Sequence, residues 1–140
     1  MNRTIYFRGK SIRHKNKWHY GHYSDFNHNP DGWAQMSYWI TTPIGGKSDK
    51  VYPDTIDQLT EYDDMNEKSI YEEDILKVHM GNDEYELRLV YWHQGDFWTK
   101  RIKPNDVNDE APHMLAYHFT NNEKVEVIGN KHDNPELLKP

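Results

Sequence analysis

Apolar and polar residues alternate with a period of two along most of this chain, and that period predicts β-strands rather than helices. The pattern is plainest where Leu76, Val78 and Met80 alternate, Gly81-Asn82-Asp83 supplies a turn, and Tyr85, Leu87, Leu89 and Tyr91 alternate with Glu84, Glu86 and Arg88. Such a hairpin is expected to turn Leu87 and Leu89 inward and Arg88 toward solvent. Earlier strands are predicted over Thr4 to Arg8, Lys17 to Tyr23 and Trp33 to Thr41, separated by the polar stretch Gly9 to Asn16 and by the Asn27–Gly32 break. Thr42 to Lys50 reads as an exposed loop, and Val51 to Ile56 as a brief pairing that Pro53 confines to an edge.

Residues 57–74 are rich in acid and poor in apolar periodicity, so a long acidic loop is expected, with a helical turn near Tyr71 to Asp74. Further on, His93 to Asp96 is a turn, Phe97 to Lys103 a strand and Pro104 to Pro112 a polar loop. Leu115, Tyr117 and Phe119 alternate as another strand, Asn121-Asn122 turns the chain, and Val125 to Ile128 is a strand that Gly129 stops. Asp133 to Glu136, with its proline, opens a short terminal helix. The expectation is a mainly β fold, barrel-like or of packed antiparallel sheets, with a short C-terminal helix. It forms a single domain over residues 1–140.

Composition sharpens this picture. Aromatics make up 14% of the 140 residues, which suits half-buried strands. With no cysteine, disulfides and thiolate metal sites are excluded. No apolar stretch suits a leader or a membrane span, so the cytoplasm of a host cell is the expected location and no membrane partner is expected. The net charge of −6 hides a division: residues 1–24 hold Arg3, Arg8, Lys10, Arg13, Lys15 and Lys17 and no acid, leaving 11 bases against 23 acids elsewhere. Pairing of the basic region with the acidic one, within or between chains, needs no outside partner.

Several sets of residues then stand for chemistry. Arg8, Lys10, Trp18 and Tyr20 interleave bases with rings, as a single-strand stacking surface does, and are the candidate nucleic-acid contacts; packing of an amphipathic strand explains the same pattern. Trp33, Trp39 and Tyr71 are candidate interface residues. His19 and His22, three apart on a strand, point to opposite faces, and the acids from Asp63 to Asp74 lack the turn glycine and spacing of a calcium loop, so no metal or other cofactor is expected. Phosphate-loop, dinucleotide, nucleophile-elbow and zinc-protease motifs are absent, and no catalytic residue is nominated.

Phe7-Arg8-Gly9-Lys10, Trp18 with Tyr20-Gly21, Pro53-x-Thr55-Ile56-x-Gln58-x-Thr60, Ile70-Tyr71-Glu72 ahead of Asp74-Ile75, and Val125-Glu126-Val127-Ile128-Gly129-Asn130 followed by Asn134-Pro135-Glu136-Leu137-Leu138 occur in this order. In these pieces the chain resembles the YopX family along nearly all its length. The resemblance implies a mostly β fold, an origin in a phage or prophage, self-association, and no established activity or catalytic residues. Glu61, Glu67 and Glu73 stand where the family pattern has glycine, which puts the local conformation of residues 60–74 in question. The function expected from all this is that of a non-enzymatic accessory protein acting by self-association, as a homo-oligomer, or by contact with a host or phage protein. The alternative is a nucleic-acid-binding module using the basic aromatic region.

Overall fold

A computed structural model describes residues 5–29, 31–32, 35–102 and 111–139. Among them the chain is mainly β, in antiparallel ladders that do not close into a barrel, and divides into two compact units, Met1–Leu59 and Thr60–Pro140. No helix among the described residues is long and apolar enough to cross a membrane.

The first unit is built from β1 (Phe7–Lys10), β2 (Trp18–Asn27), β3 (Met36–Thr41), β4 (Ser48–Lys50) and the start of β5 (Asp57–Asp63), in the order β4-β3-β2-β1-β5. β1 runs on to Lys10, past the predicted end at Arg8, because Gly9, read as turn, lies within the ladder opposite His19. A side chain there would collide with Val51, which is fully buried and bridges to Ser11. β2 runs on to Asn27, past the expected stop. Gly21 lets it pass β3: its φ is +155°, and a β-carbon at this position would lie 2.0 Å from the Thr41 carbonyl oxygen. The expected loop 42–50 ends in the short strand β4, and Pro53–Thr55 forms a single 3-10 turn.

In the second unit the far half of β5 pairs with β6 (Ser69–Tyr71), and a five-stranded sheet has the order β10-β9-β8-β7-β11. Its strands are β7 (Asp74–Gly81), β8 (Glu84–His93), β9 (Asp96–Arg101), β10 (His113–Met114) and β11 (Lys124–Asn130). The β7–β8 hairpin forms as the sequence predicts, its two-residue loop set by Asn82 and Asp83, both at positive φ. Gln94 and Gly95 close β8 on β9 in the same way. Ile70, Leu76, Val78, Val90, Phe97, Leu115 and Val125 form the core of this unit. A 3-10 turn at Pro135–Leu138 takes the place of the terminal helix.

Three expectations give way here. Residues 57–74 are not a long loop: they form β5, a turn and β6, and reverse tightly at Glu72-Glu73 instead of making a helical turn. The acids do structural work. Asp64 Oδ1 accepts from the backbone N–H groups of Asn66 and Lys68, Asp64 Oδ2 accepts from that of Val127, and Asp74 accepts from that of Tyr71. Second, residues 115–120 form not a strand but the short helix α1 (Leu115–Thr120), which buries Leu115 and His118 and packs Phe119 on the core. The spacing of three and four selects this face and leaves Tyr117 exposed, where a period of two would have buried it. Third, β8 is central, and both of its faces are covered at mid-strand. Leu89 is buried as expected, yet Val90 and Arg88 are buried too, with Arg88 paired across from core residue Leu76.

Candidate functional site

Four places in the molecule gather chemistry, three in the first unit and one in the second. The register of β1 on β2 sets Arg8 opposite Tyr20 and Lys10 opposite Trp18, so all four candidate nucleic-acid contacts share one face. There the Arg8 guanidinium lies 4.8 Å from the Trp18 ring centre and the Lys10 ammonium 5.7 Å from it. Arg8 is enclosed: its Nε donates to Asp57 Oδ2 at 3.0 Å, and both side chains are buried. Tyr20 keeps about half of its surface in solvent.

The opposite face carries a different group. Lys17 and His19 alternate with Trp18 and Tyr20, and with Arg13, His14, Lys47 and Asp49 they line a recess of about 280 Å³. Asp49 is engaged by His19 and by the Ser11 hydroxyl, which also accepts from the His14 backbone N–H and so shapes the turn. Arg13, Lys17 and Lys47 have no ion-pair partner among the described residues. Sequence reasoning missed their convergence because Lys47 arrives from the β3–β4 connection, thirty residues along the chain from Lys17. The histidines do not gather into a metal site: His22 packs on Tyr6, His28 meets Ser37, and no cluster of three metal-ligating side chains occurs among the described residues.

Of the candidate interface residues, Trp33 lies outside the described residues, and Tyr71 is buried in the second unit. Trp39 donates its indole N–H to the buried Ser37 hydroxyl at 2.8 Å, and His28 Nε2 meets the same oxygen at 2.8 Å. Phe26, opposite Ser37 in the ladder, sets its ring edge-on to His28 at 4.7 Å and is 58% exposed. The end of the β2–β3 hairpin is therefore a cluster of rings over one hydroxyl, open on its outer side.

In the second unit, Arg88, Glu86, Arg101, His113, Tyr117 and His118 help to line a cavity of about 280 Å³. Glu86 is shared by two guanidiniums: Arg88 Nε donates to Oε1 at 2.9 Å, and Arg101 Nε lies 3.4 Å from Oε2. Beside them the fully buried His118 joins Glu123 Oε2 through Nδ1 and Thr99 Oγ1 through Nε2, each at 2.8 Å. A carboxylate only accepts, so Nδ1 carries a proton toward Glu123, while the Thr99 hydroxyl lies within reach of both Nε2 and the His113 carbonyl, to which it donates at 3.2 Å. Burial pushes the His118 pKa down, against the opposing pull of Glu123.

Carboxylate, imidazole and hydroxyl in this order have the composition of a nucleophile relay. Thr99, however, is fully buried and forms no part of the cavity wall, so its oxygen meets no substrate and the chain of hydrogen bonds fastens β9 to α1. The cavity wall presents charged and hydrogen-bonding side chains. Its residues went unread in the sequence because Arg88 carries the signature of an outward strand position.

Comparison with known proteins completes the description. No curated protein matches this sequence. The family model described as YopX protein matches residues 6–139, nearly the whole chain, in keeping with the ordered pieces in the sequence, and the chain therefore belongs to the YopX family.

Proposed function

We propose that this protein is a phage or prophage accessory protein that works by contact rather than catalysis, and that the contact is with a second copy of itself, made through the end of the β2–β3 hairpin. The observation carrying this reading is the ring cluster of Phe26, His28 and Trp39, with Phe26 58% exposed at the end of a strand whose last four residues are all open to solvent. A two-stranded ribbon uncovered at its end has little stability of its own, and a symmetry-related copy laid on the rings would bury them. Light scattering at micromolar concentration is expected to give a mass above that of one 16.8 kDa chain, and Phe26→Asp to return it to the monomer with an unchanged circular dichroism spectrum. A wild-type monomer at low and high salt alike would remove the reading.

One observation favours nucleic acid as a second reading. In a chain of net charge −6, the three cations Arg13, Lys17 and Lys47 without ion pairs focus positive potential in one recess. Single-stranded DNA or RNA is then expected to bind with an affinity that falls steeply with salt, and Lys17→Gln with Lys47→Gln to lower the salt slope by roughly two. Loss of binding on Arg8→Gln alone, with the recess intact, would point to the Trp18 face instead.

A further inference from the structure

Resting on the nucleic-acid reading above, we infer that the recess lined by Arg13, His14, Lys17, His19, Lys47 and Asp49 in the first unit holds a terminal phosphate monoester, the phosphorylated end of a strand. The unit that carries the recess is itself basic. Residues 1–59 hold 8 Lys and Arg against 5 Asp and Glu, a net charge of +3, although the whole chain stands at −6. Three of those cations, Arg13, Lys17 and Lys47, line the recess and make no ion pair among the described residues. The one carboxylate of the wall, Asp49, is already engaged: its Oδ2 accepts from the Ser11 hydroxyl at 3.0 Å and meets His19 Nε2. With the imidazoles counted as neutral, three cations against one carboxylate leave an excess of two positive charges at the wall.

The backbone holds these cations together. In the β1–β2 turn the Ser11 N–H donates to the Lys17 carbonyl at 2.9 Å, the Lys17 N–H to the His14 carbonyl at 3.2 Å and the His14 N–H to the Ser11 hydroxyl at 2.9 Å, so Arg13 and Lys17 stand on one ordered loop. The Thr42 N–H donates to the Lys47 carbonyl at 2.8 Å and the Lys47 N–H to the Thr42 hydroxyl at 3.2 Å, which fixes Lys47 at the neck of the β3–β4 connection. Loops ordered before binding lower the entropy cost of closing on a ligand. Charge and shape then select the ligand. An internal phosphodiester carries one negative charge and continues in both directions, which suits cations spaced along a groove. A terminal monoester carries about −1.5 to −2 near neutral pH and three acceptor oxygens, which matches the excess charge and the arrival of cations from two separate loops. The Arg13 fork takes two of those oxygens, Lys17 and Lys47 act as point charges, and the His14 imidazole offers an N–H in either tautomer. At about 280 Å³ the recess is a local hollow rather than a track along the sheet.

Calorimetric titration of the full chain, at about 50 mM salt, with short single-stranded DNAs of one sequence tests this, the strand ending in a 5′-phosphate, in a 3′-phosphate or in hydroxyls alone. A phosphorylated strand is expected to bind at least tenfold more tightly than the hydroxyl-ended one, and the tighter of the two phosphorylated strands tells which end is held. A hydroxyl-ended strand one nucleotide longer, which adds a phosphodiester charge but no monoester, is expected to gain less than about twofold. Lys17→Gln with Lys47→Gln, both exposed, is expected to bring phosphorylated and hydroxyl-ended strands within about twofold of each other. Lys15→Gln removes an equal charge from the same turn but outside the recess wall, and should keep the preference. Equal binding of every strand by the wild type would overturn the monoester site and leave the nucleic-acid reading standing, whereas no binding of any strand by about 1 mM would end both. The site is overturned as well if the extra nucleotide gains as much as the phosphate, which would mean charge alone, or if the preference survives in the double variant, which would place it elsewhere.

Discussion

Asp64→Ala is expected to lower the stability of the second unit by about 3–5 kcal/mol, the largest single loss anticipated outside the apolar core. Asp64 is 7% exposed, and its carboxylate takes three backbone N–H groups: those of Asn66 and Lys68 at 2.8 Å, and that of Val127 on β11 at 2.9 Å. Removing it leaves these donors without an acceptor and also unties the β5–β6 turn from β11, which is otherwise joined there by the Met65 N–H to the Val125 carbonyl. Asp64→Asn keeps one carbonyl oxygen and presents an amide N–H₂ to the remaining donor, so about half of that loss is expected. Urea denaturation followed by tryptophan fluorescence measures both, since Trp92 and Trp98 report on this unit. A cost below about 1 kcal/mol for the alanine variant would show that solvent satisfies these donors and that the carboxylate is no keystone.

The opposite sign is expected at three other acids. Glu61, Glu67 and Glu73 have φ of 72°, 63° and 67°, the left-handed region that costs a side-chain-bearing residue about 1–2 kcal/mol. The family resemblance led to an expectation of glycine at these positions, and the chain makes the left-handed turns with glutamate and accepts the strain. It does so because the backbone is held from both sides. The Glu73 N–H donates to the Val90 carbonyl and its carbonyl accepts from the Lys131 N–H, while the Glu67 N–H donates to the Asp64 carbonyl. Glycine relieves the strain but adds about 0.4–1 kcal/mol of freedom to the unfolded chain, which leaves a net gain of about 0.5–1 kcal/mol per site. Contacts made by the exposed Glu61 and Glu67 side chains are screened by water, and the Glu73–Lys131 contact is long, at 3.7 Å, and open to solvent. The triple glycine variant is therefore expected to gain about 2 kcal/mol and to melt several degrees higher, as differential scanning calorimetry would show. A lower melting temperature would mean that the glutamates are held by contacts stronger than the strain.

The contrast between Asp64 and the three glutamates shows why residues 57–74 were misread. Counted along the chain they are all solvated acid. In the fold, Asp64 and Asp74 supply the acceptors that let two short strands form, and Glu61, Glu67 and Glu73 sit at the points where the backbone turns left-handed. The same limit applies to the candidate sites. Rings and bases alternating at Arg8, Lys10, Trp18 and Tyr20 were legible as one face, and they are one. That Asp57 would enclose Arg8 was not, since the two are 49 residues apart in sequence.

Local pattern alone determined the β class, the β7–β8 hairpin with its Asn82-Asp83 turn, and family membership, because each rests on neighbours within a few residues or on an ordered set of short runs. Tertiary structure decided that both faces of β8 are enclosed at mid-strand, that Leu115 begins a helix, and that Arg13, Lys17 and Lys47 share a recess while Arg88 and Arg101 share Glu86. Period two gives the sides of a strand but not what covers them. A central strand buries both, and a cation's character is set by the carboxylates that distant parts of the chain bring to it.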